Sequence, residues 1–257
     1  MIMSMYFKEK DFLRYGKFTC FDPFPFIKAF FSTRIGGVSE GPFDGLNLGI
    51  TTEDQKEKVQ ENRERFFRAV GIDSKCVVIQ KQVHETRSEY VRKPTFLDCT
   101  DGAYTDEADV FLTVSAADCV PILFAETQKR IVGVIHAGWR GTQQGIAYKT
   151  IEKVKKQFNI DGTNFVAALG PSISVKHYEV SEDVAGRFDP DFVERNGQPK
   201  PHLDLWKANE SQLRNAGIEN IFVSGYCTFE RQDLFFSHRG SGGRSGRMLG
   251  VIGIVSR

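Results

Sequence analysis

The sequence predicts an α+β protein in which mixed β-sheets are covered by a few helices. Two observations lead there. Short β-rich runs, ADVFLTV, VPILFAE and IVGVIHA, follow one another with no helix between them, which breaks the strict alternation of a doubly wound fold. No G-x-G-x-x-G opens a helix after a strand and no G-x-x-x-x-G-K-[ST] occurs, so the nucleotide-binding devices of such folds are missing.

The elements can be justified in chain order. The opening MIMSMYFKEKDFLRYG has no basic start followed by a long apolar run and does not read as a signal peptide. Residues 1–30 are taken as a poorly defined N-terminal extension of one domain spanning 1–257. RIGGVSEGPFDGLNLG, Arg34 to Gly49, is a glycine-rich loop. TTEDQKEKVQENRERFFRAVG is a helix, with Thr52 and Gln55 at capping-box spacing, an apolar side of Val59, Phe66, Phe67 and Val70, and Gly71 as its stop. VVIQKQV is a strand, and the polar stretch from His84 to Ala108 follows it. After the three successive strands, TQQGIAYKTIEKVKKQF is a helix with Ala147, Ile151, Val154 and Phe158 on one face. FVAALG is a strand, and DLWKANESQLRNAGI is a helix closed by Gly217. IFVSGYC, LFFSHR and MLGVIGIV are strands, the last two separated by the loop HRGSGGRSGR, His238 to Arg247.

Composition narrows the function classes. The net charge of +1, without basic block or acidic tail, gives no support for binding nucleic acid or an anionic membrane. No window approaches the roughly 20 apolar residues of a membrane span. Five cysteines, Cys20, Cys76, Cys99, Cys119 and Cys227, are widely spaced and contain no C-x-x-C. They read as free thiols in a reducing cytoplasm rather than a disulfide scaffold or zinc finger.

Three residues are placed to converge. His84 follows the strand VVIQKQV, Cys119 lies in the turn between ADVFLTV and VPILFAE, and His136 ends IVGVIHA. Two imidazoles and a thiolate suit Zn²⁺, and three protein ligands leave a fourth position open, as catalytic zinc requires. The same residues also fit plain packing, because cysteine is among the most buried residue types and a histidine at a strand end often serves only as a hydrogen-bonded structural residue. In GWRG, Trp139 and Arg140 could face a pocket. Equally, the turn could need Gly138 and Gly141 for positive φ with Trp139 simply packed.

STRIGGVSEGPFDGLNLG, KQVHE, ADVFLTVSAADCVPILF, VGVIHAGWRGT, ALGPSISVKHYEV and SGYCTFERQDLFFSHRGSGGRSGRM, in that order, resemble the YfiH/YlmD family of laccase-domain or "polyphenol oxidase" proteins. The resemblance runs from about Phe31 to the C-terminus. It implies a YfiH-like α/β sandwich with one metal site, whose ligands fall on His84, Cys119 and His136. It also implies phosphorolysis of adenosine, inosine and methylthioadenosine, with adenosine deamination. Arg34 is expected to bind substrate, with Arg247 and Arg239 as further candidates for holding phosphate. Asp118 and Glu85 adjoin ligands in sequence and are candidate proton carriers. Two departures stand out. Glu85 replaces the family's usual glycine after the histidine of KQVH, and GPSISVKHYEV replaces a GPxIGPCCYEV-like segment. The second falls on the pocket wall near His177 and Tyr178 and leaves the metal trio untouched.

Two rival activities use the same residues. A multicopper polyphenol oxidase needs about ten histidines, usually in H-x-H pairs, to ligate four coppers. This chain has five histidines and no such pair, so only a single Cu²⁺ in place of Zn²⁺ at the trio is compatible. A cysteine hydrolase or deamidase would use Cys119 as nucleophile and His136 as base, with no need of His84.

Overall fold

Alternate residues of the strand Val120–Glu126 face two different cores: Leu123 and Ala125 one, Ile122 and Phe124 the other. That two-residue period is the basis of the whole architecture. The structure, a computed structural model, describes residues 4–195, 197 and 199–256. In chain order its elements are β1 (Met5–Lys10), β2 (Leu13–Phe18), β3 (Ile27–Ser32), α1 (Lys56–Val70), β4 (Val77–Gln80), β5 (Ser88–Tyr90), β6 (Phe96–Leu97), β7 (Gly102–Thr105), β8 (Phe111–Ala116), β9 (Val120–Glu126), β10 (Ile131–Ala137), α2 (Trp139–Gln143), α3 (Ile146–Phe158), β11 (Phe165–Leu169), α4 (Glu182–Ala185), β12 (Val193–Glu194), β13 (His202–Leu203), α5 (Leu205–Asn215), β14 (Asn220–Val223) and β15 (Met248–Ile254).

Two mixed sheets carry the fold, as the sequence predicts. One has the order β1-β2-β3-β15-β8-β4-β6 and the other β14-β11-β9-β10-β7-β5. Most pairs are antiparallel, but β4 runs parallel to both β8 and β6, β11 to β14, and β5 to β7. The sheets pack face to face: Phe31, Leu112, Val114 and Ile252 from the first meet Leu123, Val132, Val134 and Ala168 from the second. The outer face of the first sheet is covered by α1, whose Phe66, Phe67 and Val70 join Phe30, Phe111 and Val251. The outer face of the second is covered by α3 and α5, through Ile146, Ile151, Val154 and Leu213. The result is a helix–sheet–sheet–helix sandwich. The three consecutive strands β8, β9 and β10 are explained by it: β8 belongs to one sheet and β9–β10 to the other, so the chain changes sheets at Ala117–Cys119.

Several local expectations need correction. Residues 4–30 are not an ill-defined extension, because β1, β2 and β3 form one flank of the larger sheet, and residues 1–3 lie outside the described residues. Met5, Leu13 and Phe18 are each 1% exposed. LFFSHR is not a strand: Phe235 and Phe236 are buried by core packing, but this segment joins no ladder. Thr52 does not cap α1, since its hydroxyl donates to the Gly49 carbonyl and the helix begins after Gln55. Gly71 does stop α1, in the left-handed conformation with φ +68°. The helix expected over TQQGIAYKTIEKVKKQF is two helices, α2 and α3, separated by Gly145 at φ +81°. Trp139 and Arg140 start α2 rather than lying in a turn, and Gly138 takes φ −74°, so positive φ is not its reason for being glycine.

Candidate metal centre

The strand β4 ends early, yet its direction is kept. Past Val78 the ladder to β8 is continued by side chains: Gln80 Nε2 donates to Thr113 O at 2.6 Å, and Gln82 Nε2 donates to Ser115 O at 2.8 Å. Gln82 Oε1 in turn accepts the Ser115 N–H at 2.8 Å. These amide side chains mimic strand pairing and carry the chain to His84, which sits at φ +64°, a costly conformation for a non-glycine residue.

The group that holds His84 there is Asp101, fully buried just before β7. Its carboxylate accepts the backbone N–H of Val83 at 3.1 Å, His84 at 2.9 Å and Glu85 at 2.9 Å. Asp101 Oδ1 also lies 2.8 Å from His136 Nδ1, and its carbonyl accepts the His136 N–H at 2.7 Å. With Nδ1–H given to a buried carboxylate, Nε2 of His136 is the atom left to bind a metal once it has lost its proton. This is the arrangement that orients a metal-bound imidazole.

Cys119 reaches the same place by register. In the β9–β10 ladder His136 pairs with Pro121 and Ala137 with Val120, so Cys119 arrives opposite Gly138. One ligand atom from each of His84, Cys119 and His136 lies within 4.8 Å of the other two. The rings of His84 and His136 meet edge-to-face with centroids 4.8 Å apart. Gly138 makes the convergence sterically feasible: a Cβ there would stand 2.9 Å from His84 Cδ2 and 3.1 Å from Cys119 Sγ.

The electrostatics favour a thiolate. Burial would raise the Cys119 thiol, but the charge and hydrogen bond of His136, helped by His84, pull it below its ordinary value. Burial alone would lower His136, but Cys119 and Asp101 raise it above the usual histidine range. Burial opposes ionisation of Asp101 too, and its bonds to His136 and the backbone outweigh that and hold the carboxyl below its ordinary value.

His84 and Cys119 open onto a cleft of about 240 Å³, lined also by Asp118, Trp139, Arg140, Tyr178, His238 and Arg239. That size suits a small molecule rather than a polymer. Arg140 packs 4.4 Å from the Trp139 ring and Arg239 5.3 Å from the Tyr178 ring. The arginines of the cleft are therefore Arg140 and Arg239. Arg34 does not line this cleft: its guanidinium donates to the carbonyls of Asp44 and Gln232 and lies over Phe236. Arg247 does not line the cleft either. It is half-buried, donates to Ser245 O and Gly246 O, and lines a separate pocket with Phe43, Thr52 and Arg244. Asp118 does line it, but one carboxylate oxygen accepts the Thr228 hydroxyl at 2.7 Å and the other the Arg239 N–H at 2.6 Å. Both oxygens are thus engaged by groups of the cleft wall. Glu85 is exposed outside the cleft lining.

Asp101 escaped the sequence reading. A single aspartate in LDCTDGAYT has no periodic or spacing signal, and only its position just before the buried strand β7 could have hinted at a role.

Comparison with known proteins adds to this geometry. Residues 28–255 match a family model described as multi-copper polyphenol oxidoreductase laccase. The purine nucleoside phosphorylase of Deinococcus radiodurans is 38% identical over 232 residues, 88% of this chain and 89% of that protein. Purine nucleoside phosphorylase YlmD of Bacillus subtilis is 36% identical over 246 residues, 89% of this chain and 88% of that one. The crystal structure of Bacillus licheniformis YfiH superposes with a TM-score of 0.90 at 31% identity, covering 96% of this chain and 98% of that one. That of YlmD from Geobacillus stearothermophilus gives 0.90 at 34% identity, covering 97% and 99%.

Proposed function

We propose that this chain, which belongs to the multi-copper polyphenol oxidoreductase laccase family, is a metal-dependent purine nucleoside phosphorylase working at His84, Cys119 and His136. The observation that carries the reading is the convergence of those three side chains beside a small arginine-lined cleft, with His136 oriented from behind by Asp101. The relatives named purine nucleoside phosphorylase support the reaction class.

The donor set fits zinc: two imidazoles and a thiolate, one carboxylate behind a ligand, and a glycine where any side chain would fill the space. Cu²⁺ is the alternative occupant of the same donors. Five histidines cannot build the four-copper set of a multicopper oxidase, so the polyphenol oxidase reading finds no support in the donors. A bound divalent cation would supply Lewis-acid stabilisation of negative charge.

The reaction joins a phosphate oxygen to ribose C1′ and breaks the bond from C1′ to the purine nitrogen. The bonding electrons leave with the base, which then takes a proton. Arg140 and Arg239 would hold phosphate through charge-assisted hydrogen bonds. The faces of Trp139 and Tyr178 would flank the purine, and Asp101 would keep His136 in one tautomer throughout. Adenosine, inosine and methylthioadenosine are the proposed substrates, with adenosine deamination as a second activity of the same cleft.

A second reading is favoured by one observation: the Cys119 thiol is held low by His136, as a cysteine nucleophile would require. The test is ribose 1-phosphate formation from inosine and phosphate by protein stripped with chelator and then resupplied with Zn²⁺. Loss and recovery of product are expected. Inosine left intact by folded, zinc-loaded protein would refute the phosphorylase reading and leave the Cys119–His136 dyad to be tested.

A further inference from the structure

Behind the cleft wall lies a second group of metal-ligating side chains, His177, Cys227 and Glu230, with one ligand atom from each within 4.8 Å of the other two. None of the three lines the cleft. They come from two segments laced together by backbone. Ser172 and Cys227 form a parallel bridge, the Ser172 N–H donates to Tyr226 O at 3.2 Å, and the Thr228 N–H donates to Ser172 O at 3.1 Å. The imidazole is held flat against Phe229, the centroids 4.6 Å apart and the planes within 19°. Its Nε2 lies 3.0 Å from Glu230 Oε1. Cys227 is 3% exposed, and its sulfur accepts the Ser174 N–H at 3.3 Å.

The donors are one imidazole nitrogen, one sulfur and one carboxylate oxygen, the mixture that suits a borderline cation of the zinc class. Ligand atoms around tetrahedral zinc stand about 3.3–3.8 Å apart, given bond lengths of roughly 2.0–2.3 Å. His177 Nε2 and Glu230 Oε1 stand 3.0 Å apart and all three ligand atoms lie within 4.8 Å of one another, so side-chain adjustment would bring them to that spacing. The thiol is at the base of the cluster and the carboxylate at its exposed rim, so an ion can enter from solvent.

We propose that His177, Cys227 and Glu230 form a second divalent-metal site, distinct from the trio at the cleft, with a fourth position left to solvent. Its occupancy stiffens the cleft wall. His177 is followed by Tyr178, which lines the cleft, and Cys227 by Thr228, whose hydroxyl donates to Asp118 beside Cys119. This assignment does not depend on the trio being a metal site.

The test counts metals on full-length protein stripped with chelator, reloaded with Zn²⁺ and desalted. Two zinc ions per chain are expected, falling to about one in His84→Ala and about one in His177→Gln. Loading with Co²⁺ separates the sites: a thiolate-to-cobalt charge-transfer band should persist in Cys119→Ser, where Cys227 is its source, and vanish when His177→Gln is added. Glu230→Gln should weaken the outer ion about tenfold or more. His177 and Glu230 are solvent-accessible, so these variants should fold where a change at buried Cys227 could fail. Zinc content unchanged by His177→Gln, or no cobalt–thiolate band in Cys119→Ser, would overturn the proposal. One zinc per chain, lost in His177→Gln and kept in His84→Ala, would uphold it while contradicting a metal at the trio.

Discussion

His136 and His177 each have a cysteine and a carboxylate for neighbours, but the carboxylates act from opposite sides. Asp101, fully buried, binds His136 at Nδ1 from behind and is itself fixed by three backbone N–H groups. Glu230, with a side chain 44% exposed, meets His177 Nε2 within the ligand cluster itself. The inner site is thus pre-organised by the fold, whereas the outer one sets a buried thiol beneath an imidazole and a carboxylate that solvent also reaches. Similar residue types become an oriented centre in one place and an adaptable one in the other, and backbone donors to a buried carboxylate make the difference.

The largest expected break in that contrast is Asp101→Ala. It leaves three backbone N–H groups and a buried imidazole without their acceptor, which should cost about 3 kcal/mol or more of folding stability by chemical denaturation. Asp101→Asn keeps the shape and should weaken zinc binding at the trio by roughly 10- to 100-fold in a competition titration. Glu230→Gln perturbs only a partly exposed hydrogen-bond contact with His177 and should change folding stability by less than about 1 kcal/mol.

Gly138→Ala comes next. Its methyl would press on His84 and Cys119, so a loss of about 1–3 kcal/mol by denaturation is expected, with zinc content and turnover falling together. A variant with full activity would show that the trio has slack the present geometry does not suggest.

Acid should expose the same asymmetry. The Asp101 carboxyl, with a folded pKa below its unfolded value, contributes stability that is complete above about pH 5 and is lost as pH falls through its folded pKa. Denaturation midpoints of metal-free protein between pH 3 and 6 should therefore fall more steeply for wild type than for Asp101→Asn.

How much of this was legible in the chain follows from where the information lies. His84, Cys119 and His136 could be singled out because each lies at or just beyond the end of an apolar run, and the resemblance to the YfiH/YlmD family puts its metal ligands on the same three residues. Asp101 could not, since its importance comes from N–H groups of a turn 16 to 18 residues away in sequence. Mixed sheets covered by helices could be inferred from successive strands, and the sandwich only from the family resemblance, but the sheet change at Ala117–Cys119 could not, because the switch is a packing decision. LFFSHR looked like a strand because burial by core contacts and burial by a ladder leave the same apolar run. The edge hairpin β1–β2 was passed over because charged residues interrupt MYFKEK, as suits an edge exposed to solvent.

The smallest expected effects sharpen the map of the cleft. Arg239→Ala and Arg140→Ala should each raise KM for phosphate about tenfold, equivalent to about 1.4 kcal/mol. Arg34→Ala should leave KM within about twofold and instead loosen the loop that its guanidinium ties to Asp44 and Gln232. A larger KM effect at Arg34 than at Arg239 would reverse the placement of the phosphate.

Hypoxanthine release from inosine by wild type and His84→Ala, each with and without phosphate and with zinc content measured on the same samples, bears on the inner site as a whole. Release that requires phosphate and disappears with the zinc in His84→Ala is the expected result. Release that is indifferent to phosphate, or that survives in zinc-free His84→Ala, would contradict a metal-dependent phosphorylase at His84, Cys119 and His136.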